Sequence, residues 1–386
     1  MAHPAIAPRL SAAVRGHRLP AAVVDVDTFD RNATTLVGLA HGKPIRVATK
    51  SLRVRSLIER VLERPGFAGL MCYSLEEALT WARAGHRDVL VAYPSVDVPS
   101  LERLSADPAL TAAVTLMVDS VEHVDFLARH AAGTRRLRVA VDVDASLRIG
   151  PAHLGVRRSP TRTAADVQQV IRRAQAHHLD VVGLMVYDAQ IAGLPDSALT
   201  RPVKARSHRE LTGRRREIVA AARQLADLEF VNGGGTGSLA RTGGDAALTE
   251  LAAGSGLFAP TLFDGYDSLS LEPAAVFGLP VVRRPAADVV TVFSGGYIAS
   301  GPPGWDRVPA PLPEQEVRLL RTEGAGEVQT PLRGPGARRL RLGDPVWFRH
   351  AKAGELAERF TQVLLMERGR IVGSAPTYRG EGLCLG

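Results

Sequence analysis

The chain has 386 residues, 45% of them hydrophobic and 23% charged, and its 48 lysines and arginines against 40 aspartates and glutamates leave a formal charge of +8. That ordinary globular composition excludes disordered, collagen-like and disulfide-scaffold classes, and the length allows a barrel-sized domain plus a smaller one. The cation excess does not mark a nucleic-acid protein, because the arginines are spread over nearly every segment and the aromatics that stack bases total only 5%.

Residues 1–20 hold no apolar run of signal-peptide length, and nowhere do about 18 apolar residues follow one another. Two cysteines, Cys72 and Cys384, cannot build a disulfide framework. The expectation is a cytoplasmic protein without membrane or nucleic-acid partners.

A strand-like run, Ala21 to Val26, comes first. Apolar runs of strand length then recur: Ile45 to Ala48, Gly69 to Cys72, Val89 to Ala92, Val114 to Val118, Leu137 to Val143, Val181 to Val186, Leu228 to Val231 and, least distinct, Leu248 to Ala253. Between them, Ser51 to Leu62, Leu75 to Ala84, Val121 to His130, Ala164 to His178 and Arg209 to Ala226 carry the spacing of amphipathic helices. About eight such alternations, with continuous apolar strands, predict a closed parallel (β/α)8 barrel. After Gly256, Pro and Gly become dense and short β-rich runs appear (Ala287 to Phe293, Val317 to Leu320, Pro345 to Phe348, Val363 to Met366), which predicts a second, antiparallel β domain. The predicted organisation is an N-terminal segment over 1–30 pairing with the β domain, a barrel over 31–260 and the C-terminal β domain over 261–386.

Only four of the cations are lysines: Lys43, Lys50, Lys204 and Lys352. Where arginine serves the surface, a retained lysine is more often kept for losing its proton, which arginine cannot do. Active sites of parallel barrels lie at the C-terminal strand ends. Lys50 ends the first barrel strand, so it heads the candidates, ahead of Tyr93, Asp142 to Arg148, and Tyr187 with Asp188. Gly233 to Gly237 directly follow the seventh strand, and Gly254-Ser255-Gly256 follow the eighth. Glycine lets the backbone approach an anion closely, which makes these loops a phosphate cradle or, read more plainly, tight turns.

A strand-one lysine combined with a phosphate loop after strands seven and eight resembles the pyridoxal-phosphate enzymes of alanine racemase fold. The resemblance is carried by Leu19-Pro20, Asp25-Val26-Asp27 with Asn32, Arg46-Val47-Ala48-Thr49-Lys50, Arg148-Ile149-Gly150, Gly183 to Tyr187 and the glycine loop. Within that superfamily the chain looks most like the D-threonine aldolase and D-serine dehydratase group, and more narrowly the amino acid deaminase/aldolase proteins. The resemblance implies a homodimer in which Lys50 attaches the cofactor covalently and Arg148 meets the pyridoxal phenolic oxygen. It further implies that Gly234, Gly235, Thr236, Gly254 and Ser255 hold the phosphate and that Tyr187 lines the pocket. A structural ion pair of Arg148 with Asp142 or Asp144, and a merely barrel-filling Tyr187, are the competing readings.

The group carries a His-x-Cys or His-x-Asp metal pair where this chain has His350-Ala351-Lys352. An ammonium does not coordinate a dication, so of the two only His350 qualifies as a ligand and a divalent metal is in doubt; His350 or Lys352 is then the expected acid–base group at the substrate hydroxyl. Glu355 is the nearest carboxylate, and Tyr378 to Gly382 reads as an active-site flap or a polar tail. The implied activity is cleavage of a β-hydroxy, D-configured amino acid, either by retro-aldol reaction or by dehydrative deamination. An amino-acid racemase, a non-catalytic pyridoxal-phosphate carrier and a nucleotide-binding protein are the alternatives.

Overall fold

The computed structural model describes residues 6–131 and 136–385; residues 1–5 of the N-terminal segment lie outside the described residues. Strand β1 (Ala21–Asp25) precedes the barrel. The barrel strands are β2 (Ile45–Ala48), β3 (Phe67–Cys72), β4 (Val89–Val91), β5 (Val114–Val118) and β6 (Arg138–Asp142). After a short hairpin, β7 (Leu147–Ile149) and β8 (Ala152–Leu154), come β9 (Asp180–Val186), β10 (Phe230–Gly233) and β11 (Glu250–Ala253). All eight pair in parallel, and Leu251 beside Ile45 closes the ring. The expected closed parallel barrel is therefore the observed one.

Alternation of side chains along each strand separates two apolar regions. Ile45, Val47, Val91, Val139 and Val141 point outward into the core shared with the helices, whereas Met71, Leu90, Met117, Ala140, Met185, Phe230 and Ala252 fill the lumen. Helices start where a hydroxyl satisfies the first free N–H groups: Ser74 Oγ accepts from Glu77 N, and Ser120 Oγ accepts from His123 N. The helix Thr200–Arg223 starts well before Arg209. Its first turns are held by buried polar contacts rather than an apolar face: Lys204 Nζ donates to Asp196 (2.7 Å) and to the Leu194 carbonyl (2.9 Å), and Gln190 Nε2 donates to Ser207 Oγ (2.7 Å). Hydrophobic spacing does not report such contacts.

The remaining strands are β12 (Ala275–Ala286), β13 (Val289–Phe293), β14 (Ala310–Pro311), β15 (Arg318–Leu319), β16 (Gln329–Arg333), β17 (Pro345–Arg349), β18 (Gln362–Glu367) and β19 (Arg370–Pro376). They form a mostly antiparallel sheet in the order β15-β16-β13-β12-β1-β18-β19, with β17 joined to β12 and β14. β1 lies between β12 and β18, antiparallel to the first and parallel to the second. Strands β12, β16 and β19 escape a sequence reading because prolines interrupt them; Pro280 of β12 sits opposite Pro345 of β17. Among the described residues no helix is long and apolar enough to cross a membrane.

Tyr378 is neither flap nor tail. It is 1% exposed, accepts a hydrogen bond from Trp81 Nε1 (2.9 Å) and donates one to Glu77 Oε1 (2.8 Å), which ties the end of the chain to the barrel. Burial holds the Glu77 carboxyl above its usual range, against the hydrogen bonds it accepts. Tyr378→Phe leaves Trp81 and Glu77 each one partner short, and is expected to lower unfolding stability by about 1–3 kcal/mol. Denaturant unfolding of the two proteins measures it; an unchanged midpoint refutes the anchoring role.

Candidate active site

The C-terminal mouth of the barrel opens into a cavity of about 280 Å³. Lys50 sits in the single turn Thr49–Ser51 directly after β2. Arg46 and Ala48 point into the lumen, so the chain leaves the strand with Lys50 facing the cavity, and Nζ donates to Tyr93 Oη at 2.6 Å. Burial alone would raise the Tyr93 phenol, but Lys50 and Arg158 outweigh it and hold the phenol below its ordinary value. This pair can pass a proton between amine and phenol without water.

The glycine loop forms the opposite wall. Gly234 has φ +75°, open to glycine with little strain, and Gly234, Gly235, Thr236 and Gly237 all line the cavity together with Gly254 and Ser255. A Cβ on Gly254 would lie 2.5 Å from the Ala48 carbonyl oxygen, and one on Gly237 would overlap the Ala192 carbonyl. Backbone thus borders the cavity where side chains have no room. Two hydroxyls lock the loop from behind: Ser238 Oγ (3.1 Å) and Thr242 Oγ1 (2.7 Å) donate to the buried Asp188. In front, Gly256 N donates to Thr236 Oγ1 at 3.1 Å, which joins the two glycine segments.

Tyr187 lines the cavity beside this loop, and burial pushes its phenol up to about 12. Arg148 does not line it. That guanidinium is half exposed and paired with Asp144 at 2.7 Å, the structural ion pair, so the expected role of Arg148 at a cofactor ring is corrected. Arg158, ten positions on in the same loop, enters instead, 5.6 Å from the Tyr93 ring centre and 5.8 Å from that of Tyr187. Ser159 Oγ donates to the Asp142 carbonyl (2.7 Å) and Thr161 Oγ1 to the Asp119 carbonyl (2.5 Å), and these bonds fold the loop inward next to Arg158. Asp142 lies close by; burial and neighbouring Asp119 push its carboxyl up to about 7, against the pull of Arg158.

From the β domain, Lys352 and Arg307 reach the cavity, whereas His350 does not line it. The His350 ring is buried, its Nδ1 turned to the Lys352 carbonyl and the ring also bonded to the Tyr297 backbone; burial keeps it below its usual range and therefore neutral. His350 supports the segment that presents Lys352. Burial, then the cations Arg307 and Lys50, lower the Lys352 ammonium pKa. Burial would raise Glu355, but the bonds from Ser300 hold it below the usual carboxylate range. With one imidazole committed to backbone and an ammonium two residues on, this donor set does not fit a divalent metal. Among the described residues no three His, Cys, Asp or Glu side chains converge to hold one.

The cavity lining therefore carries Lys50, Arg158, Arg307 and Lys352 and, among the described residues, no carboxylate. A lone cation quartet around a glycine cradle suits an anionic ligand with a phosphate. Arg158 and Arg307 were invisible to sequence reasoning, since both stand in loops without periodicity; only their arginine type, shared with dozens of others, pointed to them. Tyr93 was signalled by its place just after a strand.

Comparison with known proteins gives three kinds of match. The model for the alanine racemase N-terminal domain matches residues 24–261. The curated 3-hydroxy-D-aspartate aldolase of Paracoccus denitrificans is 30% identical over 246 residues, which spans 62% of this chain and 60% of that protein. Among solved structures, D-threonine aldolase from Filomicrobium marinum superposes with a TM-score of 0.78 at 23% identity, covering 94% of this chain and 96% of that one. D-threo-3-hydroxyaspartate dehydratase from a Delftia species gives 0.74 at 19% identity, covering 93% and 97%.

Proposed function

Because the chain belongs to the alanine racemase N-terminal domain family, we propose that it is a pyridoxal-phosphate lyase that breaks a β-hydroxy D-amino acid by retro-aldol cleavage or by dehydrative deamination. The observation that carries this reading is Lys50, held by Tyr93 in a cavity with a glycine cradle and a second lysine, Lys352. The names of the 3-hydroxy-D-aspartate aldolase and D-threonine aldolase support the substrate class. The same resemblance is the support for a homodimeric, cytoplasmic enzyme.

The residues present fit the cofactor. Gly234, Gly235, Thr236, Gly254 and Ser255 would hold its phosphate, Lys50 its aldehyde carbon, and Arg158, in place of Arg148, its phenolic oxygen beside Tyr187. When bound, pyridoxal phosphate draws electrons out of the bonds at the substrate α-carbon. The protein decides which bond that is. Lys50 Nζ, once released from the cofactor, takes or returns a proton through Tyr93 Oη. Lys352 Nζ, presented by the segment that His350 steadies, holds or takes the proton of the β-hydroxyl; such positioned acid–base help is worth about 10²- to 10⁴-fold. Arg307 and Lys352 close the solvent side of the cavity.

Incubation of the pyridoxal-phosphate-loaded protein with D-threonine, D-serine and 3-hydroxy-D-aspartate tests this. Glycine plus an aldehyde identifies the aldolase, a 2-oxo acid plus ammonia the deaminase, and recovery of epimerised substrate with no cleavage points to the racemase and overturns the lyase. Protein that takes up no pyridoxal phosphate overturns the cofactor as well.

A further inference from the structure

Arg307 belongs to the turn Trp305–Arg307, outside the segment matched to the family, and yet its side chain reaches the barrel mouth. The side chain is 15% exposed, and both Nε and Nη1 are buried without a hydrogen-bond acceptor among the described residues. Its one ion-pair contact is Asp306, at 3.2 Å from Nη1, whose own side chain is 67% exposed. A buried donor without an acceptor is costly, and more so when charged, so structures rarely keep one unless something binds there. The loop is shaped to leave the guanidinium room: Gly301 has φ +125°, and a Cβ there would press to 2.8 Å from Arg307 Nε.

We propose that Arg307 forms a subsite for a second carboxylate, so that the substrate is a β-hydroxy amino acid with an acidic side chain. The inference rests on the lyase reading of the same cavity and deepens it. The forked guanidinium matches a carboxylate through two parallel N–H···O bonds. The cavity supplies no carboxylate of its own, and its other cations have partners or duties: Lys50 binds Tyr93, Arg158 lies by the Tyr93 and Tyr187 rings, and Lys352 stands for the β-hydroxyl. The glycine cradle leaves the phosphate to backbone donors. Arg307 is the cation left over, and an anionic substrate side chain provides the acceptors that its Nε and Nη1 lack.

Calorimetric titration of the pyridoxal-phosphate-loaded protein with D-aspartate and D-alanine, neither of which carries a hydroxyl to cleave or eliminate, tests the subsite apart from turnover. The wild type is expected to bind D-aspartate roughly 10- to 100-fold more tightly than D-alanine, the range of a lost charged hydrogen bond. Arg307→Met should abolish that preference while D-alanine and pyridoxal phosphate bind as before, and Arg307→Lys should restore part of it. Equal weakening of both amino acids, a fall in pyridoxal-phosphate affinity, or no preference in the wild type overturns the subsite. A preserved D-aspartate preference in a protein that cleaves no β-hydroxy amino acid upholds the subsite and sinks the lyase reading instead.

Discussion

Lys50→Ala is expected to lower turnover of any β-hydroxy amino acid by at least about 10³-fold, the upper part of the range for removing a positioned catalytic group. It should also erase the visible absorbance that borohydride bleaches in the wild type. Lys50 is the lysine that stands among the glycine cradle, Tyr93 and Tyr187, so no other amine in the described residues is placed to substitute except Lys352, which enters from the β domain. The variant removes a cation next to Tyr93, and the phenol then keeps only Arg158 against the effect of burial. A Lys50→Ala protein that stays yellow and active would assign the attachment to Lys352. Loss of colour with retained folding, checked by an unchanged unfolding transition, supports the assignment to Lys50.

The second large effect is structural. Arg46→Met is expected to destabilise the protein by about 3–5 kcal/mol, as breaking one side of a buried ion pair does, out of a total of roughly 5–15 kcal/mol. Arg46 is 2% exposed and lies in the lumen under the cavity floor, where it binds Glu250 through Nε (2.7 Å) and Nη2 (2.8 Å) and Asp88 through Nη1 (2.6 Å). Burial alone would weaken its hold on the proton, but Glu250 and Asp88 strengthen it further. Glu250 also accepts from Asn232 Nδ2 at 2.9 Å, and Asn232 lines the cavity. The loss should therefore reach the site as weaker pyridoxal-phosphate binding. Adding Glu250→Gln to Arg46→Met removes the stranded charge, so the double variant should recover a large part of the lost stability; strict additivity in denaturant unfolding would refute the pairing.

The site shows where sequence and structure part. Gly69 is a case of partial legibility: a glycine inside a strand signals a close approach, but only the fold reveals that its φ of +72° and missing Cβ make room for the Arg46 guanidinium. Lys50 was legible because it needs nothing beyond its own strand: β2 ends and the next turn faces the mouth. Arg148 and Arg158 share one loop and one residue type, so the choice between them rests on the hairpin β7-β8 and the anchoring bonds of Ser159 and Thr161. No local pattern encodes that outcome. Arg307 depends on where a loop of the β domain comes to rest over the barrel.

Residue order alone settled the alternation of strand and helix, the parallel closed barrel, the lysine at its mouth and the glycine cradle, because each follows from apolar period, strand ends and backbone freedom within a few neighbours. The tertiary structure alone decided which arginine enters the cavity, that His350 supports rather than lines it, that Tyr378 is a buried anchor and that Arg307 is left without acceptors. Those facts depend on contacts between segments far apart in the chain, such as the bond from Tyr378 to Glu77. Burial and hydrogen-bond partners at such distances are set by the packing of the whole molecule, and a periodicity a few residues long carries no record of them.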